Sequence, residues 1–349
     1  MFLKGIARFN AALAGRNLTG LRSLPLRHFA VKATAADVKA LRERTGAPMM
    51  DCKKALEDEE VNGDIDLAYD WLRKRGVAIA QKKSDRSASQ GLIGLCTSDD
   101  ERVGAAVEVN SETDFVGRNE LFQGLVERVA QAALKSAGSV SFETVANAEL
   151  PGGDLTGKPC KVAEGVTDLI GKVGENLVFR RATELAVKNG LIATYVHNAP
   201  RPGLGSIGVL VGLEVDPSID CSSSGSAGEE LRRVGRLIAM HTAAAKPLFA
   251  TIDKLDSAVV EKEKNILREQ AAGSGKPAEI IEKMIDGRLR KWYKEVVLSE
   301  QECMLDPDSR TVSTLLKQLS KDIGGQVSIN DFVYYKIGDA SGSEGEANE

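Results

Sequence analysis

The stretch VGAAVEVNSETDFVGRNELF, residues 103–122, decides how the rest of the chain is read. It opens with a period-two alternation, Ala105, Val107 and Val109 against Gly104, Ala106 and Glu108, which predicts a strand. Four polar residues, Asn110 to Thr113, lead to Asp114 and Phe115. Beyond them Leu121, Leu125, Val129 and Ala132 or Ala133 recur every three or four positions and predict a helix. Thr113 or Asp114 can cap that turn, so Phe115 falls at a strand-to-helix corner on the rim of a sheet. Two readings of the phenylalanine stand: a staple folded onto the protein's own core, or a wedge projecting outward.

A related pattern recurs roughly a hundred residues on, the mark of an internal duplication. GLIGLC, VGAAVEVN and a helix over 119–135 form one unit; GLIATYV, IGVLVGLEV and a helix over 229–245 form the second. Each reads as two antiparallel strands with a helix across one face. The fold class is therefore α+β, with two duplicated subdomains over 91–190 and 191–338. Only the first copy carries the Thr-Asp-Phe corner. The second has DPSIDCSSSGSAG, residues 216–228, whose serine and glycine content predicts an unordered loop. Between the copies, VTDLIGKVGENLVFRRATEL predicts a helix, a turn at Gly174 and a strand.

Upstream, residues 34–76 predict three short helices capped by Thr34 and Asp64. Val38, Leu41, Met49, Cys52 and Leu56 point inward, with Ala55 a further candidate. Leu67, Ala68, Trp71 and Leu72 form a stripe on the third helix, closed by Gly76. Residues 77–90, with Lys82, Lys83 and Arg86, read as a basic linker. Downstream, two charged helices pair antiparallel through Val259, Ile266, Ile280, Met284 and Leu289, a hairpin inserted at 258–292. TVSTLLKQLS predicts a helix, FVYYKIG a strand, and residues 339–349 a disordered tail.

The chain has 349 residues, 42% of them hydrophobic, enough for two or three packed domains. Its net charge of −4 is unevenly placed. Lys4, Arg8, Arg16, Arg22, Arg27 and Lys32 precede the first acid, Asp37. This arginine-rich, acid-free start over 1–29 predicts a mitochondrial transit peptide cut near Ala30, with a plastid leader as the alternative. Without those 29 residues, which carry five positive charges, the remainder would carry −9. Such an acidic body argues against direct nucleic-acid binding. No apolar run approaches the roughly 18 residues of a membrane span. The five cysteines are scattered without a CxxC pair, which suits reduced thiols and gives no zinc site.

Two motifs imitate nucleotide loops. GGDLTGKP puts Pro159 where GxxxxGK[ST] needs a hydroxyl, and no strand leads into it. GLGSIG, residues 203–208, matches GxGxxG but precedes a strand instead of following one. Both read as turns. His197 and His241 lack metal-ligand spacing, and no nucleophile, base and oxyanion set is evident. No cofactor, metal or small-molecule ligand is expected.

EVNSETDFV is similar, nearly letter for letter, to the signature of the translation elongation factor Ts family. TGAPMMDCKKALED, KVGENLVFRR, IAMHTAAAKP and SGKPAEIIEKMIDGRLRKW resemble further blocks of that family, in order, and the likeness spans about Ala36 to Gly338. The resemblance implies a guanine-nucleotide exchange factor with no active site of its own, whose partner is the Tu GTPase. It implies that the N-terminal helices form a module of the ubiquitin-associated (UBA-like) type. It assigns Thr113, Asp114, Phe115 and Val116 to displacement of the partner's Mg²⁺, and Arg42, Met49, Met50, Lys83, Val173, Gly174 and His197 to secondary contacts. The alternative is a non-catalytic adaptor acting through the three-helix module.

Overall fold

The computed structural model describes residues 32–154, 156–219, 225–272 and 278–339. The expected transit peptide over 1–29 lies outside them, as do residues 155, 220–224, 273–277 and the part of the expected tail from 340.

Three helices come first: α1 (Ala35–Thr45), α2 (Met49–Glu57) and α3 (Ile65–Lys83). The hydroxyl of Thr34 accepts from the Asp37 N–H at 3.1 Å, and the Asp64 carboxylate accepts from Asp66 and Leu67. These are the side-chain caps that exposed amides at a helix start require. Leu41, Cys52, Ala55, Leu56, Ala68 and Tyr69 form the bundle core. Two expected core residues face out: Met49 at 55% and Leu67 at 49% exposure. On α3 the inward positions are Ala68 and Tyr69, so the buried stripe is turned by about one residue. Nor does α3 end at Gly76, for it continues to Lys83 and absorbs the first half of the expected linker. A Cβ on Gly171 would stand 3.4 Å from the Gly76 Cα. Gly76 therefore marks a close helix crossing, not a helix stop.

The first half continues with β1 (Gln90–Thr97), β2 (Val103–Ser111), α4 (Asp114–Gly117), α5 (Glu120–Lys135), α6 (Phe142–Asn147), α7 (Val162–Val173) and β3 (Leu177–Ala186). The second half holds β4 (Gly190–His197), β5 (Leu204–Gly205), β6 (Ile207–Val215), α8 (Ser226–Ala245), α9 (Ser257–Ala272), α10 (Ala278–Val296), α11 (Val312–Ile323) and β7 (Val327–Lys336). The sheets run β3-β2-β1-β5 and β4-β6-β7, and every strand pair is antiparallel. The repeat goes further than two strands and a helix. Both α7 and α11 end on a left-handed glycine, Gly174 at φ 73° and Gly324 at φ 74°. Each then feeds a strand that pairs with the middle of its sheet across a register shift, at Glu108/Val109 and at Gly212/Leu213.

The two sheets pack face to face. Ile93, Leu95, Ala106, Leu185, Ile192, Leu210 and Tyr335 fill the space between them. Helices α5 and α7 cover the outer face of the first sheet over Val107 and Val109, and α8 and α11 cover Val209, Val211 and Leu213 of the second. Strand β2 is thus buried on both faces, although its alternation reads as half-exposed. Small residues allow this approach: a Cβ on Gly104 would meet Ile192 at 2.8 Å. Within this layer the fully buried Glu108 pairs with Arg181 at 2.7 Å, and the Arg181 guanidinium lies 4.0 Å from the Tyr335 ring centroid. A buried carboxylate needs such partners to keep its charge.

Helices α9 and α10 pack through Val260, Leu267, Ile281, Ile285 and Leu289. Of the expected seam, Leu289 is buried, whereas Val259, Ile266 and Ile280 are exposed. The contact face is displaced by one residue, because either neighbouring stripe satisfies a three-four spacing.

Candidate partner-docking site

At the end of β2 the chain leaves the sheet and turns once as α4. The Ser111 hydroxyl donates to the Thr113 carbonyl at 2.8 Å, closing the exit. Thr113 donates twice to the Glu175 carboxylate, through its N–H at 3.0 Å and its hydroxyl at 2.8 Å. Next to this, the Asn176 N–H donates to Glu112 at 2.6 Å and the Asn176 amide donates to the Arg86 carbonyl at 2.9 Å. The corner is therefore clamped to the turn that follows α7. Charged acceptors make these bonds stronger than neutral ones.

That clamp fixes which side chains face outward. Val116 is buried against the core of the first half, while Phe115 is 73% exposed. The staple reading of Phe115 is thus excluded, and Val116 is the residue that anchors the turn. Asp114 pairs with Arg118 at 3.0 Å, and the Arg118 guanidinium stands 5.9 Å from the Phe115 ring centroid. An exposed aromatic is individually unremarkable in a protein surface. This one is held on a single helical turn, between an acid and a base and clamped from beneath, so its outward position is fixed.

The other expected contact residues fall around this corner. Val173 is half-buried at the end of α7, and Gly174 is exposed as its left-handed cap. The Lys83 ammonium donates to the Gly174 carbonyl, so Lys83 ties α3 to the same turn. Met49 and Met50, 55% and 61% exposed, open α2. They follow Gly46, where an added Cβ would lie 3.7 Å from Lys172. Arg42 is exposed on α1, and its carbonyl accepts from the Gly46 N–H at 2.7 Å. His197 ends β4, exposed, with its Nδ1 3.0 Å from the Tyr195 hydroxyl. Strand register brings it to the same end of the molecule. His197 pairs with Ile207 and Ile207 with Lys336; two residues on, the Gly338 N–H donates to Glu108. A Cβ on Gly338 would touch the Ser89 carbonyl beside Gln90, which pairs with Ser111.

Sequence reasoning missed the residues that hold the corner, Glu112, Glu175, Asn176 and Arg118. Their signal was present: two polar runs, one before Thr113 and one after Gly174, each next to a sharp turn. The second copy lacks the corner and closes on itself. Asp216 accepts from the Ser218 N–H and hydroxyl, and its own N–H donates to Gln326. Ile219 packs toward the core over Gly325. This start of the serine-rich loop is therefore ordered, unlike the expectation.

Of the two nucleotide-like motifs, GGDLTGKP folds as a turn, whereas GLGSIG is mostly strand, running from β5 into the start of β6. The Asp154 N–H donates to the Lys158 carbonyl at 2.7 Å and the Leu150 N–H to Cys160 at 2.9 Å, closing a hairpin. Leu204 and Gly205, within the GxGxxG match, form the strand edge beside β1. His241 is 1% exposed; its Nδ1 accepts from the Met304 N–H, leaving Nε2 to donate to the Gln301 side-chain oxygen at 3.0 Å. Burial lowers its pKa, partly opposed by the Gln301 bond, so it is a neutral core residue. Among the described residues no group of three or more His, Cys, Asp or Glu could hold a metal ion.

The chain is thus an α+β protein of two packed sheets with a clamped, exposed aromatic corner, and exposed methionines and a histidine lie at the same end. The family profile of elongation factor TS matches residues 112–339. The chain is 47% identical over 308 residues to elongation factor Ts of Rhodospirillum rubrum, covering 88% of this chain and 93% of that protein. It is 48% identical over 306 residues to that of Bartonella bacilliformis, covering 88% and 93%, and 46% over 310 residues to that of Caulobacter vibrioides, covering 88% and 92%. The chain belongs to the elongation factor Ts family.

Proposed function

We propose that this protein is a guanine-nucleotide exchange factor for the Tu GTPase of mitochondrial translation elongation. The observation that carries the reading is the Thr113–Val116 corner: Phe115 stands 73% exposed while Val116 and the Glu175 clamp fix the turn beneath it. A GTPase holds its nucleotide through phosphate-loop amides and a bound Mg²⁺. A factor that binds the nucleotide-free conformation more tightly must weaken nucleotide binding by the same factor.

In this mechanism Phe115 enters an apolar pocket near the GTPase's switch helices and Asp114 meets polar groups at its rim. The shift of those helices displaces the metal and loosens the diphosphate. Val173, Gly174, Lys83 and His197 flank the corner, and Met49, Met50 and Arg42 extend the contact along the three-helix bundle, read as a ubiquitin-associated-type module. The protein supplies no reacting group and takes no cofactor, nucleic acid or membrane as a partner. The acid-free basic start over 1–29 supports import into mitochondria, with plastids as the competing destination.

The test is release of fluorescent GDP from the purified mitochondrial Tu GTPase, with and without the chain from Ala30 onward. Acceleration with catalytic amounts of the chain supports the reading. No acceleration by a folded protein refutes it.

A further inference from the structure

The loop that imitates a phosphate-binding motif has a use that no nucleotide explains. Helix α3 lies across α7, with Leu72, Gly76 and Ile79 near Asp168, Gly171 and Lys172. Gly76 and Gly171 bring the two helices close, Ile79 and Ala80 of α3 pack on the core of the first half, and polar fasteners add to that packing. Among the described residues, three join α3 to the core. Arg73 pairs with Glu164 at 2.9 Å, but both are more than 40% exposed. Lys83 donates to the Gly174 carbonyl from a partly exposed position. Pairs of that kind contribute little.

The third fastener is different. Tyr69 and Asp154 are each 7% exposed, and the Tyr69 hydroxyl donates to Asp154 Oδ2. The other carboxylate oxygen, Oδ1, is taken by the Thr156 N–H, the Thr156 hydroxyl and the Lys158 N–H. The loop is pinned to the core in turn by Arg128, which donates to the Gly153 carbonyl at 2.6 Å. Above the Tyr69 ring stand Lys158 of the loop, 4.6 Å from its centroid, and Arg44 of α1 at 5.7 Å. One tyrosine thus touches α1, α3 and the loop.

We propose that Tyr69 and Asp154 are positioning residues: their buried bond locks the three-helix bundle at a fixed angle to the core. Met49, Met50 and Arg42 on the bundle are then presented together with the Phe115 corner as one rigid surface. The lock stands on the geometry alone; its consequence for exchange rests on the reading above. A bundle released from the lock reaches the docked angle only part of the time, and apparent affinity falls by that fraction. The maximal rate does not, because the corner that displaces nucleotide is unchanged.

The test uses Tyr69→Phe, Asp154→Asn and the double variant in the chain from Ala30 onward. Spin labels carried by unnatural amino acids at Lys53 and Lys135 report the bundle-to-core distance distribution. Both single variants should broaden it, and the double variant should broaden it no further. In nucleotide release each should raise the half-maximal factor concentration by about ten-fold with the saturated rate unchanged. The increase should disappear in a Met49→Ala, Met50→Ala background and persist in Phe115→Ala. A narrow distribution in Tyr69→Phe overturns the lock. A broad distribution with unaltered half-maximal concentration overturns the positioning role. If the unaltered chain does not speed release at all, the exchange reading fails while the distance measurement still judges the lock.

Discussion

Replacing Phe115 by alanine tests the corner with little risk to the fold. The ring is 73% exposed and its only ring contact among the described residues is Arg118, 5.9 Å from the centroid. Exposed substitutions of this kind change stability by about 0.5 kcal/mol or less, so the thermal midpoint should hold. Docking is another matter. An aromatic side chain offers about 150–250 Å², and most of this one is still in water before docking. At about 25 cal/mol per Å², less what alanine would still bury, full insertion is worth about 2–4 kcal/mol. That corresponds to roughly 30- to 1,000-fold in the rate constant for exchange at low factor concentration. Stopped-flow release of fluorescent GDP, with circular dichroism to verify folding, reads it. A folded Phe115→Ala chain within three-fold of the parent, on the order of 0.6 kcal/mol, would refute the wedge and move the mechanism to the flanking residues.

Other outcomes follow from the same structure. Glu175→Ala removes both acceptors of Thr113, so exchange should fall about three- to thirty-fold, between the parent and Phe115→Ala, with the thermal midpoint little changed. Arg181→Ala strands the fully buried Glu108 between the sheets; such a loss costs about 3–5 kcal/mol and should lower the calorimetric midpoint by roughly 5–8 °C. Burial alone would raise the Asp154 pKa, but bonds from Thr156, Tyr69 and the Lys158 N–H hold it at about 2. Because that folded value lies below the unfolded one, its contribution is complete above about pH 4 and is lost as pH falls toward 2. Chemical denaturation should therefore show a shallower acid loss over that window in Asp154→Asn. Ile285→Ala opens the small seam between α9 and α10, where Ile285 is 1% exposed. Hydrogen exchange should quicken in those two helices and leave β2 and β6 protected.

Much of the fold could be read from the chain, for physical reasons that differ by element. The strands, caps and turn glycines are local, and local chemistry located β2, the Thr34 and Asp64 caps and the turn at Gly174. What escaped was set by contacts between elements. The alternation in β2 could not reveal that its second face packs on another sheet, since Gly104 and Ala106 look like solvent-side residues until Ile192 and Leu210 arrive. Gly76 carried a stop signal, but its meaning came from Gly171, ninety-five residues away in sequence. In the hairpin a one-residue rotation separates Ile266 from Leu267, and a three-four repeat serves either. The corner was legible as a turn, yet only the burial of Val116 decides that Phe115 points out. The polar clamp from Glu175 and Asn176 needed the pairing of β3 with β2, which sets Ser111 opposite Leu177.

The central claim is that the chain and guanine nucleotide compete for the GTPase. Isothermal titration of the chain from Ala30 into the mitochondrial Tu GTPase, without nucleotide and at saturating GDP and Mg²⁺, tests it most directly. If the two compete, GDP weakens factor binding by the same factor as the chain weakens GDP binding. Tight binding that ignores GDP would contradict it and leave an adaptor acting through the three-helix bundle.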